Sequence, residues 1–209
     1  FLLNLRNSAI VAVSSTVLTV LINTMAGYAL SKYIFPGRDA IFAVMMATLM
    51  IPLQVIMVPI FLQLKRLGML NTLWGIIIPP AATPTGVFLA RQYMVTLPNS
   101  MIEAARIDGA GEARLFARII LPLSKPIVAT ITIFSFMWRW NDYLWPLIVI
   151  TKNRMQTLQQ ALAGFVGQLQ INWAALLAMT AISMLPVILV FLAFQKYFMT
   201  GISAGSVKG

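Results

Sequence analysis

Residues 97–122 read LPNSMIEAARIDGAGEARLFARIILP and separate two apolar segments of the chain. Ser100 and Glu103 have the S-x-x-E spacing of a capping box, in which each side chain accepts a hydrogen bond from the backbone amide of the other residue. A short helix is therefore predicted to begin at Ser100. Gly109 suits the left-handed position that follows a helix, because glycine adopts positive φ without a steric penalty. The first helix is predicted to end there in a fixed bend.

A second short helix is predicted from Gly111. Glu112 lies in its first turn, where the helix dipole favours negative charge, and Leu121-Pro122 is predicted to end it. Its apolar side chains recur at i, i+4 spacing, with two arginines on another face: Leu115, Phe116, Ile119 and Ile120, then Arg114 and Arg118. The two helices are predicted to project an apolar knob with charged edges. Asp108 opposes the dipole of the first helix by about 0.3–1 kcal/mol, and an unfavourable residue at an exposed bend suggests a contact role.

Apolar segments lie on both sides of this stretch. Hydrophobic residues make up 60% of the 209 residues and charged residues 10%, whereas soluble domains carry about 25% charged residues. A helix of about twenty apolar residues crosses the hydrocarbon core of a membrane. Five segments fit this length: 8–30, 40–63, 72–92, 124–145 and 173–195. The predicted fold is all-α, a polytopic transmembrane helical bundle.

The basic residues predict the orientation of the chain, because cytoplasmic loops carry the excess of Lys and Arg. Nine lie on one side: Lys32, Arg38, Arg91, Arg106, Arg114, Arg118, Lys125, Lys196 and Lys208. Five lie on the other: Arg6, Lys65, Arg66, Lys152 and Arg154. The first side is predicted to be cytoplasmic, with the C-terminus, and residue 1 outside. Because the cations lie at the ends of apolar segments, the net charge of +10 indicates lipid headgroups and no nucleic acid.

The chain contains no cysteine and no histidine. Thiol nucleophiles, zinc sites and Ser-His-Asp triads are therefore excluded within it. The sequence also lacks G-x-x-x-x-G-K-[ST], so it has no P-loop for ATP. We predict no catalytic residue and no metal site, and any energy for work comes from a partner.

Seven positions of the charged stretch form a motif: Glu103-Ala104-Ala105, Gly109, Ile119 and Leu121-Pro122. This pattern resembles the EAA loop of the inner-membrane permeases of bacterial ABC importers. The resemblance extends over the whole chain and is closest to the second permease of maltose-transporter-like carbohydrate importers. Further matching residues are Asn7-Ser8, Phe35-Pro36-Gly37-Arg38, Ile51-Pro52, Trp140-Asn141-Asp142, Pro146-Leu147-Ile148 and the ending from Gly201 to Gly209.

The resemblance implies a single permease domain over residues 1–209 of the type I importer kind, with its coupling loop at 97–122. Such permeases have six spans, so one further span is expected before residue 1. The family assigns contact with the ATPase to the loop residues Glu103, Ala104, Ala105, Arg106, Asp108, Gly109, Ile119, Leu121 and Pro122. The alanines would allow close approach, and Glu103 could pair with Arg106. A further contact is implied for the tail residues Gly205, Lys208 and Gly209.

The family also implies the partners and the location. They are a second permease in a heterodimer, an ATP-binding-cassette ATPase dimer that holds the ATP and Mg²⁺, and an extracytoplasmic solute-binding protein. The chain itself would hold no cofactor and lie in the bacterial inner membrane, among lipids. The binding protein is expected to dock on the outer loop 151–172.

The end of the fourth span, Trp140-Asn141-Asp142, has two interpretations. The aromatic residues belong to an interfacial belt, with Arg139 and Asp142 neutralising each other at i, i+3 spacing; or these residues line the path of a sugar.

Two other functions remain open at this point. An ion-coupled secondary transporter would need titratable groups at the bilayer midplane, and the spans offer almost none. The other is a membrane assembly subunit without a path. The sequence does not identify the solute among sugars, polyols and glycerol phosphates.

Overall fold

The computed structural model describes residues 1–166 and 172–206, with residues 198–206 described by their backbone alone. This part of the chain forms helices and turns and contains no strand. The helices are α1 Leu2–Lys32, α2 Arg38–Ala47, α3 Leu53–Arg66, α4 Trp74–Ile77, α5 Pro84–Val95, α6 Asn99–Ile107, α7 Glu112–Leu115, α8 Leu121–Leu123, α9 Lys125–Trp140, α10 Leu144–Val149, α11 Leu158–Val166 and α12 Trp173–Ser206. The predicted all-α class is confirmed.

Two helical segments of the described residues are long and apolar enough to cross a membrane alone, Leu2–Lys32 and Trp173–Tyr197. Two further spans result if each bent helix pair counts as one: Arg38–Met50 with Leu53–Arg66, and Glu112–Leu123 with Lys125–Trp140. The first and last predicted spans therefore form continuous helices, and the last one runs through Pro186.

Prolines break the predicted second and third spans. Pro52 holds the residue before it, Ile51, in an extended conformation (φ −86°, ψ 117°), so α2 and α3 are bent where they meet. The predicted span 72–92 is not one helix: α4 has only four residues, and α5 starts after Pro79 and Pro80. Neither piece has the length that crosses a bilayer as a helix.

A side chain of α1 holds the start of α5 through hydrogen bonds. Thr83 is the N-cap of α5, and its hydroxyl accepts a hydrogen bond from the Gly86 amide. Asn23, fully buried in α1, donates to the Thr83 hydroxyl (2.9 Å) and accepts from the Thr83 amide (3.0 Å). An internal polar partner of this kind allows a helix to break at membrane depth.

The chain folds into two compact units. The first contains residues 1–17, 52–81 and 133–193, and the second contains residues 18–51, 82–132 and the chain from 194 onward. The core of the first unit is formed by Ala12, Phe136, Trp140, Leu158 and Leu162. The second unit has two buried clusters: Ala90, Ile127 and Ile131, and another beside α6 and α7.

Candidate functional site

Helices α6 and α7 form the bend predicted around Gly109; we call them the helix pair. Gly109 has φ 78°, in the left-handed region that glycine tolerates. Its amide donates to the Arg106 carbonyl (3.0 Å), and the Ala110 amide donates to the Ala105 carbonyl (2.9 Å). These two bonds form a Schellman motif. Gly111 follows in extended conformation as the N-cap of α7, as the sequence predicts.

The predicted capping box is wrong. Helix α6 begins at Asn99 with Pro98 as its N-cap, and no side chain caps it. Ser100 therefore lies inside the first turn. Lys32, from the end of α1, holds the start of α6 instead, because its ammonium group donates to the Leu97 carbonyl (2.5 Å) and to Asn99 Oδ1 (2.9 Å).

Glu112 joins the helix pair to the end of α1. Its Oε1 accepts from Arg106 Nε (2.9 Å), and its Oε2 accepts from the hydroxyl groups of Tyr28 (3.1 Å) and Tyr33. The two tyrosine rings meet edge to face at 5.4 Å, and the Arg106 guanidinium lies 5.6 Å from the Tyr33 ring centre. The Tyr33 hydroxyl, followed by Arg106, holds the pKa of Glu112 below its ordinary value. Glu112 is therefore a carboxylate that accepts three hydrogen bonds, a role that its position in the first turn of α7 does not predict.

The expected pair of Glu103 with Arg106 is not formed. Arg106 pairs with Glu112 instead, because the turn at Gly109 brings that carboxylate to its guanidinium. Within the described residues, the carboxylates of Glu103 and Asp108 make no ion pair and no side-chain hydrogen bond.

Helical structure continues past Leu121-Pro122, so the prediction that this dipeptide ends the second helix is wrong. A π-helical turn at Phe116–Ile120 follows α7, and α8 includes Pro122 and ends at Leu123. The wide turn lies directly before the proline, whose ring would otherwise press on the carbonyl four residues earlier. The helix ends at Ser124, two residues before Pro126.

The apolar stripe of the second helix packs inside the protein and forms no projecting knob. Leu115 and Ile120 are 0% and 1% exposed, in a cluster with Tyr28, Met94 and Ile102. Phe116 and Ile119 are partly buried against the same cluster. Leu121 is also partly buried. The stripe therefore fixes the helix pair to α1 and α5.

The outward face of α6 carries the remaining motif residues. Ala105 is buried in the cluster, whereas Glu103, Ala104, Arg106, Asp108 and Gly109 are exposed. Two apolar side chains that were not predicted as site residues share this exposure: Ile107 at 86% and Met101 at 43%. Ile107 lies three residues after Ala104 and four after Glu103, and Met101 lies three before Ala104, and spacings of three and four residues indicate neighbouring positions on a helix surface. The helix pair thus presents a small, mixed apolar and acidic surface.

At the end of α9, Trp140 is buried and its indole N–H donates to the Ser183 carbonyl (2.8 Å). Trp140 is therefore a packed core residue of the first unit, a placement that neither interpretation of this stretch predicted. Asn141 is exposed, and Asp142 Oδ1 accepts from the Trp145 amide at the start of α10 (3.3 Å). The predicted Arg139–Asp142 ion pair is not formed. Arg139 donates to the Pro80 carbonyl (3.4 Å).

Gly205 is described as part of the α12 backbone, and Lys208 and Gly209 lie outside the described residues. In the part of the chain that is described, no group of three or more His, Cys, Asp or Glu residues could hold a metal ion.

The chain is similar in sequence and fold to known proteins. The model of a family described as "Binding-protein-dependent transport system inner membrane component" matches residues 23–203. The arabinooligosaccharides transport system permease protein AraQ of Bacillus subtilis (strain 168) is 38% identical over 97% of this chain and 72% of its own length. The melibiose/raffinose/stachyose import permease protein MelC of Bacillus subtilis (strain 168) is 39% identical over 97% and 75%.

The sn-glycerol-3-phosphate transport system permease protein UgpE of Salmonella typhi is 36% identical over 97% of this chain and 73% of its own length. Among solved structures, a chain of a bacterial ABC transporter involved in the import of the acidic polysaccharide alginate superposes with a TM-score of 0.84. It is 31% identical, over 95% of this chain and 75% of the other.

Proposed function

This chain belongs to the binding-protein-dependent transport system inner membrane components, and we propose that it is the permease subunit of an ATP-binding-cassette importer for a sugar or sugar-like solute. The observation that supports this most is the 38–39% identity, over 97% of the chain, to permeases named for arabinooligosaccharides and for melibiose, raffinose and stachyose. Because its relatives are named transport permeases, an ion-coupled transporter and a non-transporting assembly subunit are not favoured.

The exposed face of α6 is the contact for the ATPase. Ile107, 86% exposed, supplies an apolar anchor, and Ala104 beside it has no bulk to keep a partner away. Glu103 and Asp108 add carboxylates that are free to meet cations of the partner. An interface with an apolar centre and a charged rim is typical of specific protein contacts.

The other motif residues hold this face in position. Gly109 fixes the bend, Ala105 packs α6 inward, and Ile119, Leu121 and Pro122 belong to the helical continuation that leads into α9. Glu112 and Lys32 tie the helix pair to the end of α1. Movement of the ATPase would therefore displace α1 together with the helix pair.

The assembly needs further subunits. A second permease completes the path as a heterodimer, a solute-binding protein delivers the solute, and the ATPase dimer binds ATP and Mg²⁺ and performs the hydrolysis. The chain lies in the bacterial inner membrane with its C-terminus in the cytoplasm, where Gly205, Lys208 and Gly209 touch the ATPase. Asn141, exposed beside the half-buried Asp142, is the polar side chain of this stretch that a solute could reach.

The test is uptake of labelled sugar by proteoliposomes that contain the full complex. Uptake should require ATP and binding protein and persist when a protonophore collapses the proton gradient. Ile107→Glu should abolish ATP-driven uptake, because it places a charge in the apolar contact. Ile34→Glu, at an exposed isoleucine of the loop between α1 and α2 (96% exposed), is the matched control and should keep uptake near wild type. Uptake without the ATPase subunit, or normal uptake by Ile107→Glu, would overturn the proposal.

A further inference from the structure

We propose that five exposed cations of the first unit form a basic docking surface for an acidic face of the solute-binding protein. They are Arg6, Lys65, Arg66, Lys152 and Arg154, and we call them the outer basic surface. The inference rests on the proposed function and goes further by naming the residues and the charge of the partner.

Hydrogen bonds bring these cations together from three separate parts of the chain. Asn71, five residues after Arg66, accepts from the backbone amides of Thr151 (2.7 Å) and Lys152 (2.9 Å) through its Oδ1. Asn7, next to Arg6, donates through Nδ2 to the Arg154 carbonyl (2.9 Å). The end of α3, the start of α1 and the segment after α10 therefore meet at one surface.

No acid compensates this charge. Asp142 is the one acidic residue in the described part of the first unit, and it is half-buried and accepts the Trp145 amide. None of the five cations makes an ion pair among the described residues. In the second unit, Arg38, Arg91 and Arg106 each pair with a carboxylate, whereas the exposed Arg114, Arg118 and Lys125 do not. A single-sign surface of this kind raises the rate at which an oppositely charged protein associates.

The surface is also held rigid, which favours a folded partner over lipid headgroups. Asn71 itself adopts φ 58°, and Ser8 Oγ accepts from the Leu158 amide (2.8 Å) at the other end of the segment. Asn4 adds a bond from Nδ2 to the Gln156 carbonyl (3.1 Å). Ordering a loop before binding lowers the entropy cost of docking a protein, whereas mobile headgroups need no ordered loop.

The experiment uses the full complex in phosphatidylcholine nanodiscs, with ATP hydrolysis measured against the concentration of its binding protein. The variant is Lys152→Glu with Arg154→Glu, and the charge-preserving control is Lys152→Arg with Arg154→Lys. Electrostatic steering changes association by at least about tenfold, so the half-saturating concentration should rise about tenfold in the reversed variant at low salt. The maximal rate should be kept, and the control should match wild type. Raising the salt concentration should weaken wild type and leave the variant almost unchanged.

An unchanged half-saturating concentration in the reversed variant would overturn the proposal, as would a fall in maximal rate alone. So would an effect that appears only when phosphatidylglycerol replaces part of the phosphatidylcholine, since that result assigns the cations to lipid. Failure of the proposed function is a different result, because in that case the binding protein would not stimulate wild-type ATP hydrolysis at any concentration.

Discussion

Gly109 is the residue whose backbone sets the angle of the helix pair. A side chain added there would meet no atom within 4 Å, so the cost of a substitution is conformational and amounts to about 1–2 kcal/mol for the left-handed region. We expect Gly109→Val to assemble poorly or to hydrolyse ATP without moving solute, because the bend would turn the face of α6 away. Gly68→Val is the matched control, since Gly68 also has positive φ and open space but lies in the turn after α3. Solute moved per ATP hydrolysed is the measurement, and coupled uptake at the wild-type ratio by Gly109→Val would contradict the role of the bend.

Glu112 supports a second prediction at a single position. Its ion pair with Arg106 is about half exposed, and exposed pairs contribute only about 0–1 kcal/mol. Glu112→Gln should therefore change the melting temperature little, yet lower the solute moved per ATP, because the link from the helix pair to Tyr33 and α1 loosens. Asp39→Asn also removes exposed ion pairs, with Arg38 and Arg91, but has no link to the helix pair. If both variants keep the wild-type ratio, Glu112 does not position the helix pair.

The pKa of Glu112 gives this link a pH dependence. Because the pKa lies below its ordinary value in the folded protein, the contribution of the carboxylate is complete above the usual glutamate range and is lost as the pH falls through the lowered value. Between pH 8 and 6, uptake per ATP should therefore not change on account of Glu112. A wild-type decline in that window that Glu112→Gln removes would show that the carboxylate titrates there and would contradict the assignment.

At the scale of the helices, α1 and α5 approach closely where a glycine faces an alanine. A Cβ on Gly27 would lie 2.5 Å from the Ala90 Cβ and 2.9 Å from the Arg91 amide nitrogen. Small residues let membrane helices pack this closely, so Gly27→Ala must push α1 and α5 apart, at a cost of about 1–3 kcal/mol for overpacking. Gly164→Ala in α11 meets no atom and should be neutral or gain up to about 1 kcal/mol. Thermal unfolding in detergent distinguishes them, and equal melting temperatures would refute the close contact.

Some features of the helix pair could be predicted from the sequence, and others could not. The bend at Gly109 could be predicted because only the local backbone decides it, and positive φ calls for glycine. The start of α6 could not, because Lys32, distant in sequence, holds the Leu97 carbonyl and Asn99. Burial of Ala105 beside an exposed Ala104 also depends on contact with the end of α1. Helical structure continues through Pro122 by way of a π-helical turn, which the residue pattern does not predict.

At the scale of the whole molecule, four of the five acidic residues lie in one unit. Asp39, Glu103, Asp108 and Glu112 belong to the second unit, and the uncompensated outer basic surface belongs to the first. The acids take part in ion pairs or extend the face of α6, whereas the cations of the first unit have no such partners among the described residues.

The orientation of the chain can be tested directly because the sequence contains no cysteine. Single-cysteine variants Leu67→Cys and Ala113→Cys place a thiol at exposed positions, in the turn after α3 and in α7. In intact cells that express the full complex, a membrane-impermeant maleimide should label Leu67→Cys from outside, after the outer membrane is opened where one is present. It should label Ala113→Cys only once the inner membrane is permeabilised. Because both side chains are exposed, both variants should keep uptake. External labelling of Ala113→Cys would place the helix pair beyond the reach of a cytoplasmic ATPase, and the assignment of its face would then be wrong.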